Sequence, residues 1–327
     1  MGEFDLIARY FHRPARRAVL GVGDDCALLA PSPGMQLAIS SDMLVEGRHF
    51  FADVDPEALG HKALAVNLSD LAACGAKPLA FTLALSLPRV HEAWLAGFSK
   101  GLLALSDEHG CELVGGDTTQ GPLNICITVL GEVPPGQALL RSGARPGDDI
   151  YVSGTLGDAR IALEALLGRI DVPPEMLVPA RQRLERPSPR IALGLALRGV
   201  ASSAMDVSDG LLGDLAHILK ASGVGACIHT HITSTLIAAS AYPASAGGLF
   251  DAEFIHQCTL AGGDDYELLF TAPPPRRSAV LAAAVSSGTR VTCIGSVRAE
   301  PGVQLIDAEG RTVAHRYASF DHFRAAG

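Results

Sequence analysis

The residues of this sequence best suited to chemistry are aspartates. They recur beside glycine or small hydroxyl residues in six short motifs: GVGDD (Asp24, Asp25), ISSD (Asp42), NLSD (Asp70), GGDTT (Asp117), DVSDG (Asp206, Asp209) and GGDDYE (Asp264, Asp265). A single Asp–Gly pair is most often a turn, and Asp209, which opens the apolar run DGLL, is also suited to cap a helix. Asp70 is harder to explain that way, since it lies mid-helix, three positions after Asn67 and on the same face. Two carboxylates about 4 Å apart repel by roughly 4 kcal/mol at an effective dielectric near 20, so carboxylates that converge need cations between them. Hard oxygen donors without a Cys/His cluster select Mg²⁺ over zinc, and Mg²⁺ commonly joins a few carboxylates to substrate phosphates.

Other nucleotide and metal signatures are absent. The sequence has no G-x-x-x-x-G-K-[ST] loop and no kinase HRD or DFG, and GVGDDC lacks the third glycine of a dinucleotide fingerprint. The HTH at 229–231 and HQC at 256–258 have the wrong spacing for a tetrahedral zinc site. The pattern therefore points to Mg²⁺- and ATP-dependent phosphoryl transfer, with the nucleotide held through metal-binding aspartates. A two-metal phosphohydrolase would use the same carboxylates to activate water instead.

Positioning these groups requires regular elements. Asp55-Pro56 starts a helix that stops near Gly75, and a second helix runs over 92–109 to Gly110. Strands are expected at MQLAISSD, AFTLALSL, CELVGG and LNICITVLGEV. After SGARPGDD, whose Gly143, Pro146 and Gly147 suggest a linker, come a strand at IYVSG and helices near 158–167, 191–198 and 211–221. Further strands are expected at DYELLF and RVTCIGSV. The fold class is thus α/β of the α+β type, in two mixed domains, 1–147 and 148–327.

With 327 residues, 48% hydrophobic and 19% charged, the chain can bury a sizeable core in two domains. Its net charge of -9 argues against a nucleic-acid partner. Seven scattered cysteines without a C-x-x-C pair fit a reducing cytoplasm. No signal peptide is expected, and the longest apolar-rich stretch, 78–88, is too short for a membrane span.

The order and wording of the motifs, together with GEFDLIARYF, VEGRHF, NLSDLAACGAKP, RPSPRI and FDHF, resemble the thiamine-monophosphate kinase family of the aminoimidazole-ribonucleotide-synthetase-like superfamily. The resemblance covers nearly the whole chain. It implies transfer of the γ-phosphoryl group of ATP to thiamine monophosphate in a homodimer whose N-terminal domains pair. It also implies Asp25, Ser40, Ser41, Asp42, Asp70, Asp117, Asp206 and Asp209 as Mg²⁺ ligands, with Asp42, Asp70 and Asp209 catalytic. Gly116, Asp117, Arg141 and Ser208 become ATP contacts, and His49, Asp264 and Phe320 substrate contacts. Asp264 replaces the family's usual glutamate, and Lys100 stands where many members carry a tyrosine.

Overall fold

A computed structural model of the chain describes residues 2–238, 250–314 and 317. The chain divides into two compact units, Met1–Ala138 and Leu139–Gly327. Gly147, in the stretch that reads as a linker, falls in the turn ahead of the first strand of the second unit.

The first unit runs α1 (Glu3–Tyr10), β1 (Gln36–Val45), α2 (Pro56–Ala73), β2 (Lys77–Leu87), α3 (Glu92–His109), β3 (Glu112–Gln120) and β4 (Asn124–Val133). Its sheet has the order β1-β4-β2-β3, with β2 and β3 parallel and the other pairs antiparallel. Helix α2 begins as Asp55-Pro56 dictates: the Asp55 carboxylate accepts the Ala58 N–H at 2.8 Å. It packs on α3 and lies over β1 and β4, burying Leu64, Leu68 and Leu71 completely. Each such leucine contributes about 1.5–3 kcal/mol.

The second unit runs β5 (Asp149–Ser153), α4 (Asp158–Leu166), α5 (Pro174–Glu185), α6 (Ile191–Ala196), β6 (Ser203–Val207), α7 (Leu211–Ser222), β7 (Gly225–His229) and α8 (Thr230–Thr233). It continues with α9 (Ala252–Ala261), β8 (Glu267–Ala272), α10 (Arg277–Ser287), β9 (Val291–Arg298), β10 (Gly302–Ile306) and β11 (Thr312–Val313). A seven-stranded mixed sheet has the order β11-β10-β7-β9-β5-β8-β6. Its core joins Ile150, Val152, Val207, Leu215, Ile218 and Leu269.

The expected elements are present, and two of them run further than the motifs suggest. Strand β1 continues past Asp42, and β3 past Asp117, because their ladders with β4 and β2 remain intact at those positions. Helices α1, α5, α8, α9 and α10 and strands β6, β7, β10 and β11 are additional. No helix of the described residues is long and apolar enough to cross a membrane.

Candidate active site

The first cluster forms where β1 faces α2. Strand residues two apart share a face, and helix residues three apart share one too, so Ser40 and Asp42 meet Asn67 and Asp70. The Ser40 hydroxyl donates to Asp70 Oδ2 at 2.5 Å. The Asp42 N–H donates to Asn67 Oδ1 at 3.1 Å, while Asn67 Nδ2 is tied to the Ala63 carbonyl at 3.0 Å. Asn67, which the motif reading notes only as a neighbour of Asp70, thus fixes the height of Asp42 against the helix. Ser41, between Ser40 and Asp42, points to the opposite face. Its hydroxyl lies 3.0 Å from Thr128 Oγ1 and 3.2 Å from the Ile127 carbonyl.

A second group lines a cleft of about 520 Å³ bounded by Gly23, Asp24, Asp25, Gly116 and Asp117, with Phe4, Ile7 and Phe11 contributing its apolar side. Two glutamates pin the segment that carries GVGDD to the sheet. Glu112 accepts the N–H groups of Arg16, Arg17 and Ala18, and Glu132 accepts the N–H and hydroxyl of Ser32. Ala18, Ala27 and Leu29 then pack against Leu79, Ala80 and Val114. Gly116 can be only glycine: its φ is +146°, and a Cβ there would sit 1.9 Å from the Leu83 carbonyl oxygen. It lets β3 run against β2 and sets Asp117 opposite Ala84.

His49 lies just after β1. Its Nδ1 accepts the Val45 N–H at 2.9 Å, so the neutral ring carries its proton on Nε2, as a donor. The buried Lys62 ammonium donates to the His49 carbonyl at 3.2 Å. Lys100 is an exposed partner of Glu57 at 2.7 Å.

In the second unit, DVSDG forms the turn between β6 and α7. Gly210 takes the N-cap position of α7, which has no side-chain cap, so Asp209 does not cap the helix, and Asp214, inside the helix, holds the turn that precedes it. The Asp214 Oδ2 accepts the N–H groups of Ser208, Asp209 and Gly210 at 3.0, 3.1 and 3.1 Å. Burial, then the Asp206 and Asp209 carboxylates, push the Asp214 carboxyl up to about 8. The motif reading missed Asp214; its signal was an acidic residue one helical turn after DVSDG in an apolar run.

GGDDYE leads into β8 and grips that turn. The Asp264 N–H donates to the Ser208 carbonyl and the Tyr266 N–H to the Val207 carbonyl, both at 2.8 Å. Gly263 permits the approach, because a Cβ there would lie 2.6 Å from the Ser208 carbonyl oxygen. Asp264 (φ +64°) and Tyr266 (φ +51°) take left-handed backbones, which cost on the order of 1 kcal/mol or more for a non-glycine residue. Behind them Glu267, fully buried, receives Arg183 Nη2 at 2.7 Å, Arg190 Nε at 2.6 Å and Ser153 Oγ at 2.5 Å. Arg141 is exposed in the loop before β5. Ser222 steadies that loop by accepting the Gly143 and Ala144 N–H groups at 3.1 and 3.2 Å. Phe320 lies outside the described residues.

Among the described residues, no three His, Cys, Asp or Glu side chains converge closely enough to cage a metal ion by themselves. Mg²⁺ does not need such a cage, since it binds through one or two carboxylates, waters and substrate phosphates. The donors gathered here are oxygens, and the raised proton affinity of Asp214 beside Asp206 and Asp209 marks a loop whose negative charge a divalent cation would relieve. The residues fit Mg²⁺.

Residues 23–133 match the AIR synthase related protein N-terminal domain, and residues 145–308 match the C-terminal domain of the same family. The chain is 46% identical to the thiamine-monophosphate kinase of Salmonella typhimurium, with 98% of each chain covered. Among solved structures it resembles thiamine-monophosphate kinase from Stenotrophomonas maltophilia K279a, at 42% identity and a TM-score of 0.82 over 95% of this chain and 96% of that one. It also resembles AaThiL complexed with AMPPCP and TMP, at 32% identity and a TM-score of 0.76 over 90% and 89% of the two chains. On its motifs, its two units and these likenesses, the chain belongs to the thiamine-monophosphate kinase family of AIR synthase related proteins.

Proposed function

We propose that this chain transfers the γ-phosphoryl group of ATP to the phosphate of thiamine monophosphate, giving thiamine diphosphate and ADP. The observation that carries the reading is near full-length identity of 46% to a curated enzyme of that activity, together with its motif oxygens gathered at β1–α2 and at the DVSDG turn. The acceptor is already an ionised phosphate, so no strong base is needed. Catalysis rests on positioning and on neutralising charge as the two phosphates are brought in line, without a phosphoenzyme.

Within that reading, Asp25, Ser40, Asp42, Asp70 and Asp117 of the first unit and Asp206 and Asp209 of the second are the groups that would hold Mg²⁺. Ser41 would join them only through its main chain, since its hydroxyl is turned away. Bound Mg²⁺ would supply the positive charge that lets the phosphates approach. Asp42 and Asp70 hold their oxygens on a strand and a helix whose packing fixes them. Gly116, Asp117, Arg141 and Ser208 contact ATP, and the Arg141 guanidinium suits bidentate phosphate binding. His49, Asp264 and Phe320 contact thiamine monophosphate.

The chain works as a cytoplasmic homodimer paired through its N-terminal sheets. The outward face of β1 exposes Ile39 (62%) and Met43 (52%), two large apolar side chains on one strand face. Light scattering should give the mass of a dimer for the wild type and of a monomer for Ile39→Asp with Met43→Asp.

The activity is tested by following ADP release with Mg²⁺ and ATP, with and without thiamine monophosphate. Release that requires the acceptor and yields thiamine diphosphate is expected. Equal release without acceptor identifies a hydrolase and removes the reading.

A further inference from the structure

Among the described residues, the buried side-chain atoms without a hydrogen-bond partner are Asp265 Oδ2, Arg183 Nε and Arg160 Nε. They share one neighbourhood. Arg183 reaches the Asp265 carbonyl at 3.1 Å, and Arg160 and Asp265 both act on the buried Cys258 thiol. Asp265 is 1% exposed, and it sits between Asp264 and Tyr266, the non-glycine residues with left-handed backbones. A turn of that kind persists only where its surroundings over-determine it.

The ties that hold the turn are specific. Asp265 Oδ1 accepts the N–H of Gly157, the N-cap of α4, at 2.9 Å. Arg183 Nη2, on α5, spans the Asp265 carbonyl and the Glu267 carboxylate. On the other side of the turn the Tyr266 hydroxyl meets Asp264 Oδ1 at 3.3 Å, so the same backbone that strains the turn also aims the Asp264 carboxylate. Aspartate is one methylene shorter than glutamate, so its carboxylate depends more on where the backbone puts it.

We infer that Asp265 is a positioning residue for the acceptor: by tying the turn 264–266 to the start of α4, it fixes the Asp264 carboxylate where thiamine monophosphate is recognised. The inference rests on the reading of Asp264 under Proposed function. Asp265 touches no reacting atom and acts only through its neighbour.

The test is steady-state kinetics of the full chain with each substrate varied in turn, for wild type, Asp265→Ala, Asp265→Asn and Tyr266→Phe. Asp265→Ala should raise KM for thiamine monophosphate about 10-fold or more while KM for ATP changes by less than about 2-fold, the signature of a displaced contact to one substrate. Asp265→Asn keeps an acceptor oxygen for the Gly157 N–H and should restore most of the acceptor KM. Tyr266→Phe, which deletes one hydroxyl and leaves the buried ties alone, should raise the same KM to a smaller extent, and it serves if Asp265→Ala does not fold. A folded Asp265→Ala with wild-type acceptor KM, equal rises in both KM values, or an unchanged Tyr266→Phe overturns the inference. Wild-type protein that releases ADP without regard to the acceptor instead removes the functional reading on which it rests.

Discussion

Around Glu267 the chain answers a buried carboxylate with cations of its own, since Arg183 and Arg190 both reach its oxygens within 2.7 Å. At the DVSDG turn it does something different. Asp214 is held by three main-chain N–H groups, and the charges that most affect it, Asp206 and Asp209, have its own sign. Both regions lie in the second unit; Glu267 closes one glycine-containing acidic motif, and Asp214 follows another. The first is a closed ion cluster that locks β8 to α5 and the segment before α6; the second gathers carboxylates of like charge without a cationic side chain among the charges that most affect it. An acidic residue beside glycine therefore says little by itself, and the sign of its neighbours separates a structural carboxylate from a ligand-binding one.

The comparison is broken most readily at Glu267. Glu267→Ala leaves two half-buried guanidinium groups without their carboxylate and should cost about 2–4 kcal/mol in urea unfolding; an unchanged midpoint would mean that the cluster is not structural. Asp42→Asn and Asp70→Asn should do the reverse, lowering kcat by about 100-fold or more with the melting temperature kept or raised. Near-normal kcat in either removes that residue from the ligand set. Ser222→Ala should raise KM for ATP by only a few-fold, about the worth of one lost hydrogen bond, by loosening the loop that carries Arg141; the KM for thiamine monophosphate should not follow it.

The smallest effect concerns acid. The Arg277 guanidinium at 2.6 Å, aided by the Tyr151 hydroxyl and opposed by burial, holds the Asp149 carboxyl below the usual carboxylate range. A carboxylate whose folded pKa is depressed contributes stability that is present above its unfolded pKa and lost as pH falls through the folded one. The stability difference between wild type and Arg277→Ala should thus be full at neutral pH and vanish in acid. A difference that is constant with pH would assign it to packing instead.

Much of the first unit was legible in the sequence because its signals are local. Asp55-Pro56 and Gly110 mark where α2 and α3 begin and end, and the three-residue spacing of Asn67 and Asp70 already puts both on the face that meets β1. The DVSDG and GGDDYE motifs were legible as places, while their wiring was not. Asp214 and Asp265 owe their roles to burial and to main-chain N–H groups supplied by other turns, which no local pattern encodes. Strands β6, at the edge of the sheet, and β7, inside it, escaped because five-residue strands buried along most of their length lack the alternation that marks a half-buried strand. The resemblance groups Ser41 with Ser40, whereas the two-residue period of a strand turns their side chains to opposite faces.

In the proposed reaction the β1–α2 oxygens bind a divalent cation together with the nucleotide. Calorimetric titration of Mg²⁺ into the chain with AMPPCP present tests it most directly, across wild type, Asp42→Asn, Asp70→Asn and Glu267→Gln. Mg²⁺ should bind the wild type and Glu267→Gln alike and the two aspartate variants at least about 10-fold more weakly. Equal Mg²⁺ affinity in Asp42→Asn, Asp70→Asn and wild type would contradict it.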